Sequence, residues 1–296
     1  MTKTGLVLEG GGMRGIYTAG VLDVFMERGI RFDGVIGVSA GAIHGCSYLS
    51  EQKGRGIRYY KKYCNDPRFM SFKSLIKTGN IVGVDFCYHE LPDILDPYDH
   101  DAFLTNGTEF YVTCSNLKTG KAEYLRVTDM RGQIDLVRAS ATLPYVSKVV
   151  KIGDKKYLDG GCTDSVPVDA FINMGFERNV LILTRPAAHV RQKEHGLMAR
   201  IRYWRYPNFL KALFSHHDRY NATKKRIAEL EAEGKIFVIA PDKELEIGRL
   251  EGDPEKIQMV YDIGRSDGEA AIERMLLWRS EYEKNDSLDK ESEDKK

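Results

Sequence analysis

A serine framed by two glycines is the first candidate for chemistry in this sequence. The segment Gly37-Val38-Ser39-Ala40-Gly41 matches the pattern GxSxG and lies between a predicted strand and a predicted helix, where a nucleophile elbow must lie. The flanking glycines let the backbone turn sharply and let strand and helix approach each other closely. Since such a string also arises by chance, its strand-turn-helix context is what makes Ser39 a candidate nucleophile.

A glycine-rich loop forms the second candidate. The segment Gly10-Gly11-Gly12-Met13-Arg14-Gly15 also follows a predicted strand and opens a helix, and it satisfies the dinucleotide fingerprint GxGxxG. That function expects an acidic residue about 20 positions on, at the end of the second strand. Ser39 stands there instead, and Asp33 lies at the start of that strand. Nucleotide binding therefore remains an alternative function for this loop.

The two segments are expected to be neighbours in space. Parallel strands joined by a right-handed crossover place their carboxyl ends at one edge of the sheet, so the loop and Ser39 should meet there. Backbone N–H groups of Gly10, Gly11 and Gly12 could then stabilise an oxyanion, each by about 3 kcal/mol. Arg14 would add a cation suited to a phosphate or to the same oxyanion, or it is a surface arginine in a first helical turn.

The base for such a serine is better matched by an aspartate than by a histidine. His44 is five residues along a helix from Ser39, and the downstream histidines have no strand-end context: His189, His195, His216 and His217. Asp159 ends a predicted hairpin strand, and two glycines follow it. Full deprotonation of a serine by an ordinary aspartate would cost at least roughly 8 kcal/mol. Proton transfer must therefore accompany attack, with the pKa of Asp159 raised by burial.

The elements that must position these residues follow an α/β pattern, in which apolar runs alternate with segments of helical spacing. The predicted strands are Gly5–Glu9, Phe32–Val38, Glu109–Cys114, Ala122–Val127, Val146–Ile152, Lys155–Leu158, Asn179–Thr184 and Lys235–Ala240. The predicted helices are Arg14–Arg28, Ala40–Leu49, Ile134–Ala141 and a long helix after Pro254, and residues 54–105 are helical and rich in loops. The sequence therefore predicts an α/β three-layer sandwich with a central, mainly parallel sheet.

Composition narrows the class of protein. An apolar fraction of 42% and a charged fraction of 29% are typical of a globular chain, and 44 basic against 43 acidic residues give no reason to expect a nucleic-acid partner. Five scattered cysteines without a CxxC pair predict neither a disulfide framework nor a zinc site. We find no signal-peptide core and no long apolar run. A cytoplasmic protein is expected, with any membrane contact peripheral and at the inner membrane surface.

Two weaker signals each have two interpretations. Between His189 and Arg226 there are ten Lys or Arg residues among aromatic side chains, a pattern that fits docking on an anionic lipid surface but fits amphipathic helices packing on the domain slightly better. The acidic run Asp93, Asp96, Asp99 and Asp101 lacks the order of a calcium-binding EF-hand loop, so a solvated loop is the better interpretation.

Taken together, GGGMRG, GVSAG and LDGG, with ASATLP at residues 139–144 as the ASxxxP segment, resemble the bacterial branch of the patatin-like phospholipase family. The resemblance covers roughly Gly5 to Thr184 and implies an acyl hydrolase with a serine–aspartate dyad. It makes Ser39 the nucleophile, Asp159 the base and the glycine loop with Arg14 the oxyanion hole. It implies no metal or organic cofactor.

These observations predict a catalytic domain over residues 1–188, a largely helical extension with one added strand over 189–283, and a disordered charged tail over 284–296. The expected function is hydrolysis of lipid or other carboxylic esters through an acyl-enzyme. Acyl transfer to an acceptor other than water is a variant of the same chemistry. The alternatives from other classes are a nucleotide-binding protein and a non-catalytic module that binds lipid surfaces.

Overall fold

The centre of the molecule is one mixed sheet. The computed structural model describes residues 2–193 and 196–293, with side chains as far as residue 280. Within those ranges the strands are β1 (Thr4–Leu8), β2 (Gly34–Val38), β3 (Glu109–Asn116), β4 (Ala122–Val127), β5 (Val150–Ile152), β6 (Lys155–Asp159), β7 (Arg178–Ile182) and β8 (Ile236–Ile239). Their order is β5-β6-β3-β2-β1-β7-β8, and β4 pairs with β3. The five strands from β3 to β8 in this order are parallel, which confirms the predicted mainly parallel sheet.

Helices cover both faces of the sheet. They are α1 (Gly15–Glu27), α2 (Ala40–Leu49), α3 (Arg55–Tyr63), α4 (Phe72–Thr78), α5 (His100–Thr105), α6 (Met130–Ser140), α7 (Val168–Asn173), α8 (Leu197–Tyr203), α9 (Pro207–Phe214), α10 (His216–Ala232) and α11 (Pro254–Glu293). A π-helix spans Phe86–Leu95, and 3-10 turns span Gly12–Arg14 and Gly160–Cys162.

Side chains alternate across the strands and build two cores, which is why the strands read as continuous apolar runs. Leu6 and Leu8 of β1 pack into the core that holds α1, α2 and α11. Val7, between them, packs into the opposite core with α7 and α10. The three-layer sandwich expected from the sequence is thus confirmed.

In the described part of the chain after residue 188, β8 extends the sheet and α11 packs beside α1. Strand β8 pairs in parallel with β7, and Gly264 of α11 lies against α1, where a Cβ would sit 2.0 Å from the carbonyl oxygen of Tyr17. Helix α11 continues to Glu293 through most of the segment 284–296, which was predicted to be a disordered tail. Lys, Glu and Leu favour helices, so a high charge does not by itself end one. Residues 294–296 lie outside the described residues.

Strand β5 is shorter than predicted, because the residues before it bond elsewhere. The carbonyl oxygen of Val146 accepts a hydrogen bond from the Ile81 N–H, at 2.8 Å. The Lys148 N–H donates to Oδ1 of Asn80, also at 2.8 Å. The segment 146–149 is therefore held against the loop after α4 instead of extending the β5–β6 hairpin. Periodicity alone could not reveal this competition.

Candidate active site

Ser39 lies at a sharp turn between β2 and α2. Its backbone has φ 54° and ψ −122°, a region that is costly for residues other than glycine. The flanking glycines permit the turn: a Cβ on Gly41 would lie 2.4 Å from the carbonyl oxygen of Leu8, and one on Gly37 would lie 2.5 Å from Cα of Ala42. The turn thus has the shape of a nucleophile elbow, with the Ser39 side chain at the carboxyl edge of the sheet.

The glycine loop lies beside this turn because β1 pairs in parallel with β2. A Cβ built on Gly10 would lie 3.1 Å from Cβ of Ser39, so the backbone of the loop passes directly by the serine. Gly11 and Gly12 line the same cavity as Ser39. Two members of the loop serve packing as well: Met13 is buried in the core, and Gly15 begins α1 against Ala40 of α2.

Asp159 reaches Ser39 through a strand that both segments share. Strand β2 pairs with the first part of β3, where Val38 is opposite Thr113, and β6 pairs with the last part, where Asp159 is opposite Cys114. Because β4 occupies the other edge of β3, β2 and β6 must lie end to end on the same edge. The residue after β2 and the last residue of β6 are therefore brought together.

Burial dominates the electrostatics of Asp159. Its side chain is inside the protein, and Oδ1 accepts a hydrogen bond from the Gly161 N–H at 2.8 Å. Oδ2 is buried and has no hydrogen-bond partner of normal geometry among the described residues. Burial raises the pKa of Asp159 to about 6, although the nearby Ser39 hydroxyl and the Gly161 N–H lower it. A carboxyl with a raised pKa close to the serine hydroxyl can take up a proton near neutral pH.

The end of α6 and the residues that follow it contact both Ser39 and Asp159. Oγ of Ser140, which is fully buried, accepts a hydrogen bond from the Ser39 N–H at 3.0 Å. Two residues on, the carbonyl oxygen of Thr142 accepts one from the Asp159 N–H at 2.8 Å. The sequence singled out this ASxxxP segment only by resemblance, and its role as a bridge is visible only in the structure.

A hydrogen-bond network around Glu9, just before the glycine loop, includes one residue of the extension. The Tyr220 hydroxyl donates to Oε1 of Glu9 at 2.8 Å, and the Thr184 N–H donates to Oε2 at 2.6 Å. Thr184 Oγ1 also donates to the carbonyl oxygen of Gly10 at 2.9 Å. Sequence analysis missed this network, and no local signal could have revealed it, because 211 positions separate Glu9 from Tyr220.

Arg14, within the glycine-rich loop, lies near charges of both signs: the positive Arg185 and the negative Glu9 and Glu244. Its Nε is buried without a hydrogen-bond partner in the described part of the chain. Burial, and next the charge of Arg185, lower its pKa from the usual value. The side chain lines the cavity, so a surface arginine, the other interpretation of the sequence, does not describe it.

A cavity of about 880 Å³ opens onto these residues. Ser39, Asp159 and the glycine loop form part of its wall, and most of the rest is apolar or aromatic, including Tyr59, Phe69, Tyr88, Leu91 and Phe214. A volume at the upper end of the range for ligand pockets, with a wall that is more apolar than polar, suits an acyl chain.

The histidines take other roles among the described residues. His44 is buried behind the elbow, and neither of its ring nitrogens has a hydrogen-bond partner among the described residues. Burial lowers its pKa to about 4. His216 lines the cavity, but its Nε2 is hydrogen-bonded with Oγ of Ser165 at 3.1 Å. His189 contacts Glu244, and His217 pairs with Asp218. No described histidine hydrogen-bonds with Ser39, and His195 lies outside the described residues.

Other acidic residues considered from the sequence form structural contacts. Asp33 lies at the opposite edge of the sheet, where Oδ2 accepts from the N–H and the hydroxyl of Thr4. In the acidic run, Asp96 pairs with Arg58 and Asp99 caps α5. Within residues 2–193 and 196–293 we find no cluster of three His, Cys, Asp or Glu side chains that could hold a metal ion. None of the helices described is long and apolar enough to span a membrane.

Comparison with known proteins gives two family matches. The model described as patatin-like phospholipase matches residues 6–172, and a domain of unknown function, DUF6363, matches residues 206–280. The sequence is 28% identical over 272 residues to the uncharacterized protein YjjU of Escherichia coli K12, covering 89% of this chain and 75% of that protein.

Fungal proteins share sequence similarity with part of this chain, and one solved structure aligns with it. Lysophospholipase nte1 of Aspergillus terreus is 29% identical over 179 residues, which is 58% of this chain and 11% of the fungal protein. This chain thus spans about a tenth of the length of such fungal relatives. The crystal structure of VipD from Legionella pneumophila aligns with a TM-score of 0.47 at 15% identity, covering 95% of this chain and 67% of VipD.

Proposed function

Because this chain belongs to the patatin-like phospholipase family, we propose that it hydrolyses carboxylic esters of lipids, with Ser39 as the nucleophile and Asp159 as the base. The observation that carries the proposal is the end-to-end placement of β2 and β6 on β3, which sets a strained serine beside a buried carboxylate. Both residues line a mainly apolar cavity of about 880 Å³, which is large enough for an acyl chain.

In the first step, Oγ of Ser39 attacks the carbonyl carbon of the ester while its proton passes to Oδ2 of Asp159. The carbonyl oxygen becomes an oxyanion, and backbone N–H groups of Gly10, Gly11 and Gly12 donate to it. When the tetrahedral intermediate collapses, the bond to the alcohol oxygen breaks. That oxygen takes the proton from Asp159, which leaves the acyl group on Ser39.

In the second step, water replaces the alcohol. Asp159 accepts a proton from the water as its oxygen attacks the acyl carbon, and the oxyanion forms again beside the glycine loop. Collapse of this intermediate breaks the bond to Ser39 Oγ, which recovers its proton from Asp159. The products are a free carboxylic acid and the original enzyme, so one residue serves as base and then as acid in each half of the reaction.

The raised pKa of Asp159 matters for this exchange. With a floor of 10 for the serine hydroxyl, the proton-transfer gap is roughly 8 kcal/mol for an ordinary aspartate and roughly 5 kcal/mol for a carboxyl with a pKa of about 6. Stabilisation by two N–H donors in the transition state, at about 3 kcal/mol each, is of the same size. Concerted transfer is therefore energetically reasonable with these groups alone.

Relatives suggest the kind of ester. The fungal proteins with a matching segment are named lysophospholipases, so we include lysophospholipids among the expected substrates. The basic residues Arg14 and Arg185 beside the oxyanion loop are compatible with a phosphate-bearing lipid.

A fluorophosphonate probe tests the nucleophile. We expect the wild-type protein to be labelled and Ser39→Ala to lose the label. Ser165→Ala is the matched control, since Ser165 lines the same cavity and is hydrogen-bonded with His216; this variant should be labelled like the wild type. Labelling that persists in Ser39→Ala and disappears in Ser165→Ala would overturn the assignment, and saturable binding of NAD or ATP would favour a nucleotide site instead.

A further inference from the structure

Three segments form a continuous surface around the opening of the cavity. We call this surface the rim; it consists of α4, the loop 143–148, and α8 with the two residues after it, 204–205. The loop joins the other two: Lys148 N–H donates to Asn80 just after α4, and the carbonyl oxygen of Ser147 accepts from Arg202 of α8 at 2.9 Å. Phe72 and Tyr145 are exposed and also line the cavity, which places the rim at its mouth.

The rim presents large apolar side chains to solvent. Ile76 on α4 is 87% exposed, Ile201 on α8 is 65% exposed, and Trp204, just after α8, is 66% exposed. Leu197 and Met198 belong to the same face of α8, because the spacing 197, 198, 201 and 204 follows one side of a helix. The opposite side of α8 is already packed, with Ala199 and Tyr203 buried. The exposed face is therefore not needed to hold α8 on the protein.

The charges of the rim have one sign. Its three segments contain six basic residues and no Asp or Glu, whereas the whole chain has 44 basic and 43 acidic residues. The six are Lys73, Lys77, Lys148, Arg200, Arg202 and Arg205. None of them forms an ion pair with a residue that the structure describes. A positive surface with protruding apolar side chains matches the headgroups and acyl boundary of an anionic bilayer.

We propose that the rim docks on anionic lipid membranes and so presents the cavity mouth to lipid substrates. This inference rests on the proposed function, because docking would serve lipid hydrolysis. It concerns how the protein binds a membrane and not how it cleaves the ester. Lys and Arg would contact the headgroups, while Ile76, Ile201 and Trp204 would enter the interface. A lipid leaving the bilayer would then pass Phe72 and Tyr145 into the cavity without crossing water. The extension thus supplies three of the six basic residues of the rim, Arg200, Arg202 and Arg205.

Vesicle sedimentation tests this docking. Using Ser39→Ala to prevent hydrolysis, we expect binding to phosphatidylcholine vesicles that contain phosphatidylglycerol, weak binding to pure phosphatidylcholine, and loss of binding as salt screens the charges. Lys77→Ser should weaken binding roughly fivefold, the usual effect of one basic residue, and Ile76→Ser with Trp204→Ser roughly tenfold or more.

Matched controls lie at the opposite edge of the sheet. Leu277 is 63% exposed and precedes Trp278, whose carbonyl oxygen accepts a hydrogen bond from Arg178 at the start of β7. Lys235 directly precedes β8 and, unlike the rim lysines, forms an ion pair, with Glu233. Leu277→Ser and Lys235→Ser should leave vesicle binding unchanged. When Ser39 is left intact, each of these substitutions should leave the rate of hydrolysis of a soluble short-chain ester at the wild-type value. That rate would show that the variants fold.

Three results would overturn the proposal. The first is equal binding to anionic and neutral vesicles, or none to either. The second is equal weakening by rim and control substitutions. The third is a dimer in solution that Ile76→Ser converts to a monomer, because a second copy of the chain would then cover the rim. Failure of the proposed chemistry would appear separately, as ester hydrolysis that survives Ser39→Ala.

Discussion

The substitution Asp159→Asn should make the protein more stable and much less active. The pKa of Asp159 rises from 3.8 to about 6 because the side chain is buried. A group whose pKa is higher in the folded than in the unfolded state favours folding below the lower value, and that contribution is lost as pH rises through the higher one. The ionised carboxylate therefore costs the folded protein about 3 kcal/mol at pH 8.

An asparagine removes the charge and keeps the shape. Its Oδ1 can still accept from the Gly161 N–H, while its amide replaces Oδ2, which has no partner of normal geometry in the described structure. Allowing for an unpaired amide, we expect the free energy of unfolding at pH 8 to increase by about 1 to 3 kcal/mol. The difference should fall by about 3 kcal/mol between pH 8 and a pH well below 4, where Asp159 is protonated in the folded and the unfolded protein. Hydrolysis of a soluble ester should fall roughly 100-fold to 10,000-fold, the usual effect of a missing base.

Urea denaturation at pH 8 and pH 4 measures the stability difference, and initial rates on a soluble ester measure activity. Asp23→Asn is the control, since Asp23 is also buried but accepts bonds from Tyr261 and Gly54 away from the cavity. Burial raises the pKa of Asp23 as well, but Asp23 does not line the cavity, so that variant should keep its activity per folded molecule. If Asp159→Asn is less stable than the wild type at pH 8, the claim that the ionised carboxylate destabilises the folded protein is wrong. If it keeps full activity, Asp159 is not the base.

Three further predictions follow from the same geometry. The value of kcat/KM for a soluble ester should fall about tenfold per pH unit below about pH 6, as Asp159 becomes protonated; a flat profile from pH 8 to pH 5 would contradict its role. Ser140→Ala should lower the free energy of unfolding by about 1 to 3 kcal/mol and slow hydrolysis, because the buried Ser39 N–H loses its acceptor; urea denaturation and initial rates measure both. Ser39→Gly should raise the unfolding free energy by about 1 to 3 kcal/mol, since glycine tolerates φ 54° and ψ −122°; an unchanged thermal midpoint would argue against strain at the elbow.

Much of the fold could be predicted, because it depends on local patterns. Ala40–Leu49 was predicted as a helix and is α2 with the same bounds, and Ala122–Val127 is β4 with the same bounds. Buried strands and amphipathic helices leave periodic signals that survive in any context. The bounds of β5 could not be predicted, because Val146 and Lys148 bond to a loop about 65 residues earlier in the chain.

For the candidate site, the sequence by itself determined which groups are present and how each is locally held. A serine between glycines and a triple-glycine loop after a strand are local features, since their backbone shapes depend on a few adjacent residues. The tertiary structure alone decided that Asp159 meets Ser39, that Ser140 and Thr142 tie the two together, and that Tyr220 supports Glu9. Those contacts join segments that are 101 and 211 positions apart, and only the pairing of strands on a common edge of β3 and the packing of the extension bring them together.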